Sequence, residues 1–135
     1  MTAGDQTQTS TETPAQAEGP FTTRQLLRLD EALRLADETT SLTFSVYCGD
    51  LAEPVRETAE KLHSELPDPA RSVLLAASPN QRQLEIVTGE QARRRLHDRD
   101  CKLAAFSMAA AFNGGDLAGG FISGLAMLVN LAGRS

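Results

Sequence analysis

Between Leu26 and Ala36 the apolar residues Leu26, Leu29, Leu33 and Ala36 return at three- and four-residue steps, with Arg24, Arg28, Glu31 and Arg34 left on the polar side. That spacing places one apolar stripe on a helix. Thr22 and Gln25 have the separation of a capping box, and Phe21 and Leu26 that of a hydrophobic staple, so the helix is predicted to begin at about Thr23 and to end near Thr39 and Thr40. The period then drops to two. Leu42, Phe44 and Val46 alternate with Thr43, Ser45 and Tyr47, as in a strand with one buried face, and Gly49-Asp50 closes it.

Pro54 suits the first turn of a second helix, whose stripe is Val55, Ala59, Leu62 and Leu66. His63 lies beside that stripe and reads as a packed side chain, since no catalytic partner is visible. Ser72 to Ala77 is apolar without alternation, which predicts a strand covered on both faces, hence the central one. Ser78-Pro79-Asn80 supplies a turn, and Leu84 to Thr88 returns antiparallel. The first two strands, joined through a whole helix, should be parallel with a right-handed crossover, giving a small mixed sheet.

The remaining third is helical. Thr88 and Gln91 repeat the capping-box spacing and predict a short helix over Glu90 to Leu96. Asp98 is positioned to cap the next helix, Arg99 to Ala111, in which Leu103, Ala104, Phe106, Ser107 and Met108 give a small-residue surface that permits close helix packing. The last runs from Leu117 to Leu131, with Leu117, Phe121, Gly124, Leu125, Leu128 and Leu131 inward. It falls short of the ~20 residues that a membrane span requires, and it contains Asn130. Gly120 and Gly124 imply close helix packing, either on the sheet or between two copies in a homodimer.

Composition narrows the function classes. At 135 residues and 41% hydrophobic content, one domain is the expectation. Residues 1–19 hold no Leu, Ile, Val or aromatic residue and read as a disordered tail, leaving residues 20–135 as the domain. These leading residues have neither the basic start nor the apolar run of a secretory signal, so a cytoplasmic location is expected. Cys48 and Cys101 then read as two ordinary thiols. A net charge of −5 with one Tyr, five Phe and no Trp argues against nucleic acid as a partner. Arg93-Arg94-Arg95, Arg99 and Lys102 form a basic run, but Asp98 and Asp100 sit within it, which suggests a solvated, partly self-neutralised face.

The order of these elements carries a resemblance. Leading helix, strand, helix, the hairpin Val73-Leu74-Leu75-Ala76-Ala77 and Arg82 through Gly89, a short helix ending at Asp98, and Phe112 through Gly120 before the last helix together resemble the TPM domain. That family includes plant thylakoid-lumen proteins, a nematode receptor-associated protein and many bacterial proteins. More narrowly, the chain is similar to an actinobacterial branch of unknown function. The resemblance covers about Phe21 to Ala132 and implies an α/β/α sandwich with a small mixed sheet. It further implies one of several roles, because members are proposed phosphatases, divalent-metal binders, or accessory and assembly factors. The carboxylates that match the family pattern are Asp98 and Asp116.

A metal-assisted phosphatase needs several oxygen ligands around one ion. Asp98, Asp116 and Asp50, which lies beyond the carboxyl end of the first strand, are the candidate ligands for Mg²⁺ or Ca²⁺. No catalytic nucleophile or base stands out. The competing assignment makes Asp50 a turn residue and Asp98 and Asp116 helix N-caps. The favoured function is therefore a non-enzymatic, cytoplasmic interaction or accessory module with an unknown protein partner; the alternative is a metal-assisted phosphomonoesterase.

Overall fold

Seven main elements follow one another in the computed structural model, which describes residues 20–133; the expected tail, residues 1–19, lies outside them. They are α1 (Thr23–Thr40), β1 (Thr43–Cys48), α2 (Val55–Ser64), β2 (Ser72–Ser78), β3 (Gln83–Thr88), α3 (Asp98–Asn113) and α4 (Leu117–Ala132). The sheet order is β1-β2-β3. β1 runs parallel to β2, with Thr43 opposite Ser72 and Cys48 opposite Ala77, and β3 returns antiparallel, with Val73 opposite Thr88.

All seven residues of β2 are buried, as its unbroken apolar run requires. Its side chains divide the core in two. Val73, Leu75 and Ala77 join Leu29, Met108, Phe121 and Leu125 from α1, α3 and α4, whereas Leu74 and Ala76 join Ala59 of α2 and Leu51 on the opposite face. The fold is an α/β/α sandwich on a small mixed sheet.

Each edge strand is met by charged side chains, Asp37 on β1 and both Arg56 and Arg93 on β3. The carboxylate Oδ1 of Asp37 accepts the N–H of Phe44 at 2.8 Å on β1, and Nη1 of Arg56 donates to the carbonyl of Ile86 at 3.2 Å on β3. The rim of Arg56 is also tied to Glu60 at 2.9 Å and Glu85 at 3.0 Å.

The capping box at the start of α1 is present, Gln25 N–H to Thr22 Oγ1 at 3.1 Å and Thr22 N–H to Gln25 Oε1 at 2.8 Å. The staple is not. Leu26 is 42% exposed, and the buried ring of Phe21 instead meets Phe121 of α4 edge-on, with centroids 6.0 Å apart. A buried aromatic on α4 offers more apolar area than a leucine one turn away.

Three further expectations about the helices are corrected. No α-helix spans Glu90 to Leu96; Ala92–Arg94 form one 3₁₀ turn, and Thr88 is a strand residue paired with Val73 rather than a cap. Gly89 follows it because the backbone passes so close to Pro69 and Ala70 that a Cβ would overlap their carbonyls. In α4, Leu131 is exposed. Gly120 and Gly124 pack on α3 rather than on the sheet: a Cβ on Gly120 would stand 2.5 Å from Cε1 of Phe112, and Gly124 faces Met108. Among the described residues no helix is long and apolar enough to cross a membrane.

Candidate functional site

Asp116 is an N-cap. Its Oδ1 accepts the N–H of Gly119 at 2.9 Å, satisfying one of the donors that the first turn of α4 leaves open. Asp98 is not one. It is the first residue of α3, and the cap position falls on His97, whose N–H donates to Oδ2 of the buried Asp100 at 3.1 Å. The cap therefore closes from three residues into the helix, because Asp100 can lie back over the first turn while Asp98 points to water. Asp50 sits in an exposed turn where its carbonyl accepts the Tyr47 hydroxyl at 2.6 Å and its Oδ1 meets Asn80 Nδ2 at 3.4 Å.

The three carboxylates do not form one set. Asp98 and Asp116 bracket the 16 residues of α3, a separation of about 24 Å at 1.5 Å per residue. Ligands of a shared Mg²⁺ or Ca²⁺ each lie about 2.0–2.6 Å from the ion. Asp50 lies past the finish of β1, bonded to Asn80 past the finish of β2, whereas Asp98 follows the exit of β3, beside the start of β2. Among the described residues no three His, Cys, Asp or Glu side chains gather where they could hold an ion.

The other reactive groups are occupied or quiet. His63 is buried, and its Nε2 donates to the Ser72 carbonyl at 2.9 Å, which locks α2 to the start of β2. A shallow groove of about 400 Å³ between α2 and the exit of β3 is lined by Arg56, Glu60, His63, Thr88 and Arg93. Its two cations are engaged by the protein itself, Arg56 with Glu60 and Glu85, and Arg93 with the Thr88 carbonyl at 2.7 Å. Burial pushes the thiols of Cys48 and Cys101 up to about 11, with Asp98 and Asp100 adding to the effect on Cys101, so neither is a thiolate nucleophile near neutral pH.

Two features escaped the reading of the sequence. Arg95, within the basic run, is not a solvated residue: it donates to the Thr40 carbonyl at the end of α1 and to the Gly133 carbonyl, at 2.6 Å, beyond the end of α4. Its even neighbours in charge gave no sign of this. The second is exposed apolar surface, with Phe106 at 82% and Leu103 at 53% on α3, and Leu27 and Leu35 on α1 beside a shallow groove bordered by Ile122. This corrects the expected packing surface of α3: Ala104 and Met108 are buried, and at about 100° per residue Leu103 and Phe106 cannot share their side of the helix.

Comparison with known proteins follows the same contour. The family model described as "Domain of unknown function (DUF5130)" matches residues 2–129. Two uncharacterized proteins of Mycobacterium tuberculosis, from strains CDC 1551 / Oshkosh and ATCC 25618 / H37Rv, are 35% identical over 109 residues, 81% of this chain and 65% of theirs. The match thus spans less than two-thirds of the length of those relatives, 65%. Among solved structures, the BA42 protein of Bizionia argentinensis superposes with a TM-score of 0.77 at 17% identity, covering 85% of this chain and 83% of that one. The N-terminal domain of a P. gingivalis protein gives 0.67 at 19% identity over 84% and 76% of the two chains. That of cg2496 from Corynebacterium glutamicum gives 0.62 at 14% over 89% and 84%. At these identities the likeness is one of fold.

Proposed function

Because this chain belongs to the DUF5130 family of domains of unknown function, we propose its role from its own geometry: a non-enzymatic interaction or accessory module of the cytoplasm. The observation that carries this reading is the combination of spent carboxylates and unspent apolar surface. Asp116 caps α4, Asp50 serves a turn, Asp98 lies at the far end of α3, and Phe106 stands almost wholly in water. Exposed aromatic anchors are what protein interfaces use. In the wider sense we place the chain with TPM-like domains, for which the strand exit Thr88-Gly89, the Gly115-Asp116 step and the α/β/α layering are the support. The functions of the longer mycobacterial relatives belong to the same proposal, in which this domain docks and another region, or another protein, acts.

The experiment is hydrolysis of p-nitrophenyl phosphate by the purified chain with Mg²⁺ or Ca²⁺, run beside melting temperatures in the same ions. We expect no enzyme-dependent turnover and no saturable rise in melting temperature, since a ligand held only by the native state must raise it. Saturable turnover that Asp116→Asn or Asp50→Asn removes would establish the metal-assisted phosphomonoesterase in its place.

A further inference from the structure

We propose that α3 carries a self-complementary seam on which two copies of this chain associate antiparallel, about a two-fold axis beside Phe106. The proposal rests on the reading of the chain as an interaction module and names its partner. Along the outer side of α3 the exposed residues Arg99, Leu103, Phe106, Ala110 and Asn113 follow one another at steps of four, three, four and three. That alternation is the spacing with which one helix meets another lengthwise. The opposite side of α3, Ala104 and Met108, is fully buried, so the seam faces squarely outward. Its apolar residues, Leu103, Phe106 and Ala110, form a narrow line rather than a broad face, which suits a second helix better than a membrane surface.

The order of residues along the seam selects a second copy as its occupant. Phe106 stands at the centre, seven residues from Arg99 and seven from Asn113. When the seam is inverted on itself, Phe106 meets its own counterpart, Leu103 lies over the small Ala110, and Arg99 lies over Asn113. Large faces small, and a cation faces an amide. This is the pattern of an isologous two-fold contact.

Charge follows the same inversion. Arg99 and Lys102 stand exposed at the first end of α3; of the two acids there, Asp98 is exposed and Asp100 is turned inward onto the His97 N–H, and neither cation belongs to the ion pairs formed among the described residues. The exposed Asp116 stands just beyond the other end, with one carboxylate oxygen on the Gly119 N–H at the start of α4. An antiparallel pair brings the basic end of each α3 to the acidic end of the other, whereas a parallel pair would set cations against cations. Only one 16-residue helix contributes, which places the contact at the small end of interface sizes and makes it concentration-dependent.

Sedimentation equilibrium of the full chain from about 1 μM to about 1 mM, the range of weak association, tests this. We expect the average mass to climb toward twice that of the monomer, Phe106→Glu to hold it at the monomer, and Phe106→Cys to cross-link on oxidation well above the unmutated chain while Asn113→Cys does not. If Phe106→Glu loses its fold by circular dichroism, Leu103→Lys takes its place. A chain monomeric throughout, or a dimer that survives Phe106→Glu and does not cross-link through Phe106→Cys, overturns the proposal. A monomer that binds an acidic helical peptide through Phe106 overturns it as well, but leaves the interaction-module reading standing; phosphatase turnover removes that reading and is independent of the sedimentation result.

Discussion

Gly124 faces Met108 with no room for one methyl group: a Cβ on the glycine would overlap Sδ and stand 2.5 Å from Cγ. Met108 is fully buried, so it cannot swing into solvent to make way. Gly124→Ala should therefore destabilise the chain by ~1–3 kcal/mol, the usual cost of overpacking, measured as a lower urea midpoint with an unchanged slope. A neutral or stabilising result would show that α3 and α4 are not locked at this distance.

Leu75 stands at the centre of the middle strand, wholly buried and opposite both Val46 and Ile86. Leu75→Ala should cost ~2–5 kcal/mol, as for other fully buried leucines. A cost under about 1 kcal/mol would not fit a central strand.

Arg95 holds the carbonyl ends of α1 and α4 together through Thr40 and Gly133. Hydrogen bonds from a charged donor contribute ~1.5–3 kcal/mol each at most, so Arg95→Met, which keeps the apolar stem, should lower stability by about that amount. Hydrogen exchange should speed up in the last turns of both helices together. Loosening of only one would mean that the two ends are not joined through this side chain.

Asp116 distinguishes a cap from a ligand. Asn fills an N-cap as well as Asp, whereas Ala forfeits ~1 kcal/mol. We expect Asp116→Asn to match the wild type in thermal unfolding and Asp116→Ala to fall below it. A divalent-ion stabilisation abolished in Asp116→Asn would contradict the capping account.

The two thiols set an alkaline limit. Their acid constants lie near 9.0 in the unfolded chain and are pushed by burial to about 11 in the fold, so the unfolded state loses these protons first. Stability from them is complete below pH 9 and is lost as pH rises toward 11. Urea midpoints should fall across that window, and the fall should shrink in Cys48→Ala relative to its own value at pH 8. Both thiols should also react slowly with a disulfide reagent at pH 8. Rapid modification of the folded chain would contradict their protonated state.

Local chemistry was legible in the sequence to the extent that neighbours in the chain decide it. The Thr22–Gln25 box, the alternation over Leu42 to Val46 and the unbroken run of β2 depend on residues within a few positions, and each appears where its spacing places it. Choices between distant partners were not legible. Phe21 prefers Phe121 to Leu26, and Arg95 leaves an apparently solvated basic run for carbonyls 55 and 38 residues away. Capping at α3 was misread for a subtler reason. Asp98 and Asp100 are both acidic and near the start, and only the direction of the first turn decides that Asp100 folds back on His97. The candidate site suffers from the same blindness, because spacing along the chain gives no account of the length of α3 between Asp98 and Asp116.

The charged side chains at the two margins of the sheet bear on how this protein behaves in a crowd. A three-stranded sheet has as much open rim as interior, and an open rim is a template on which a stranger's strand can crystallise into fibrous aggregate. With Asp37 holding the Phe44 amide and Arg56 holding the Ile86 carbonyl, each rim has an ionic stopper at the place where zippering would have to pass. Recruitment by strand addition is thereby discouraged on both sides, and the surface left for sociable contact is helical.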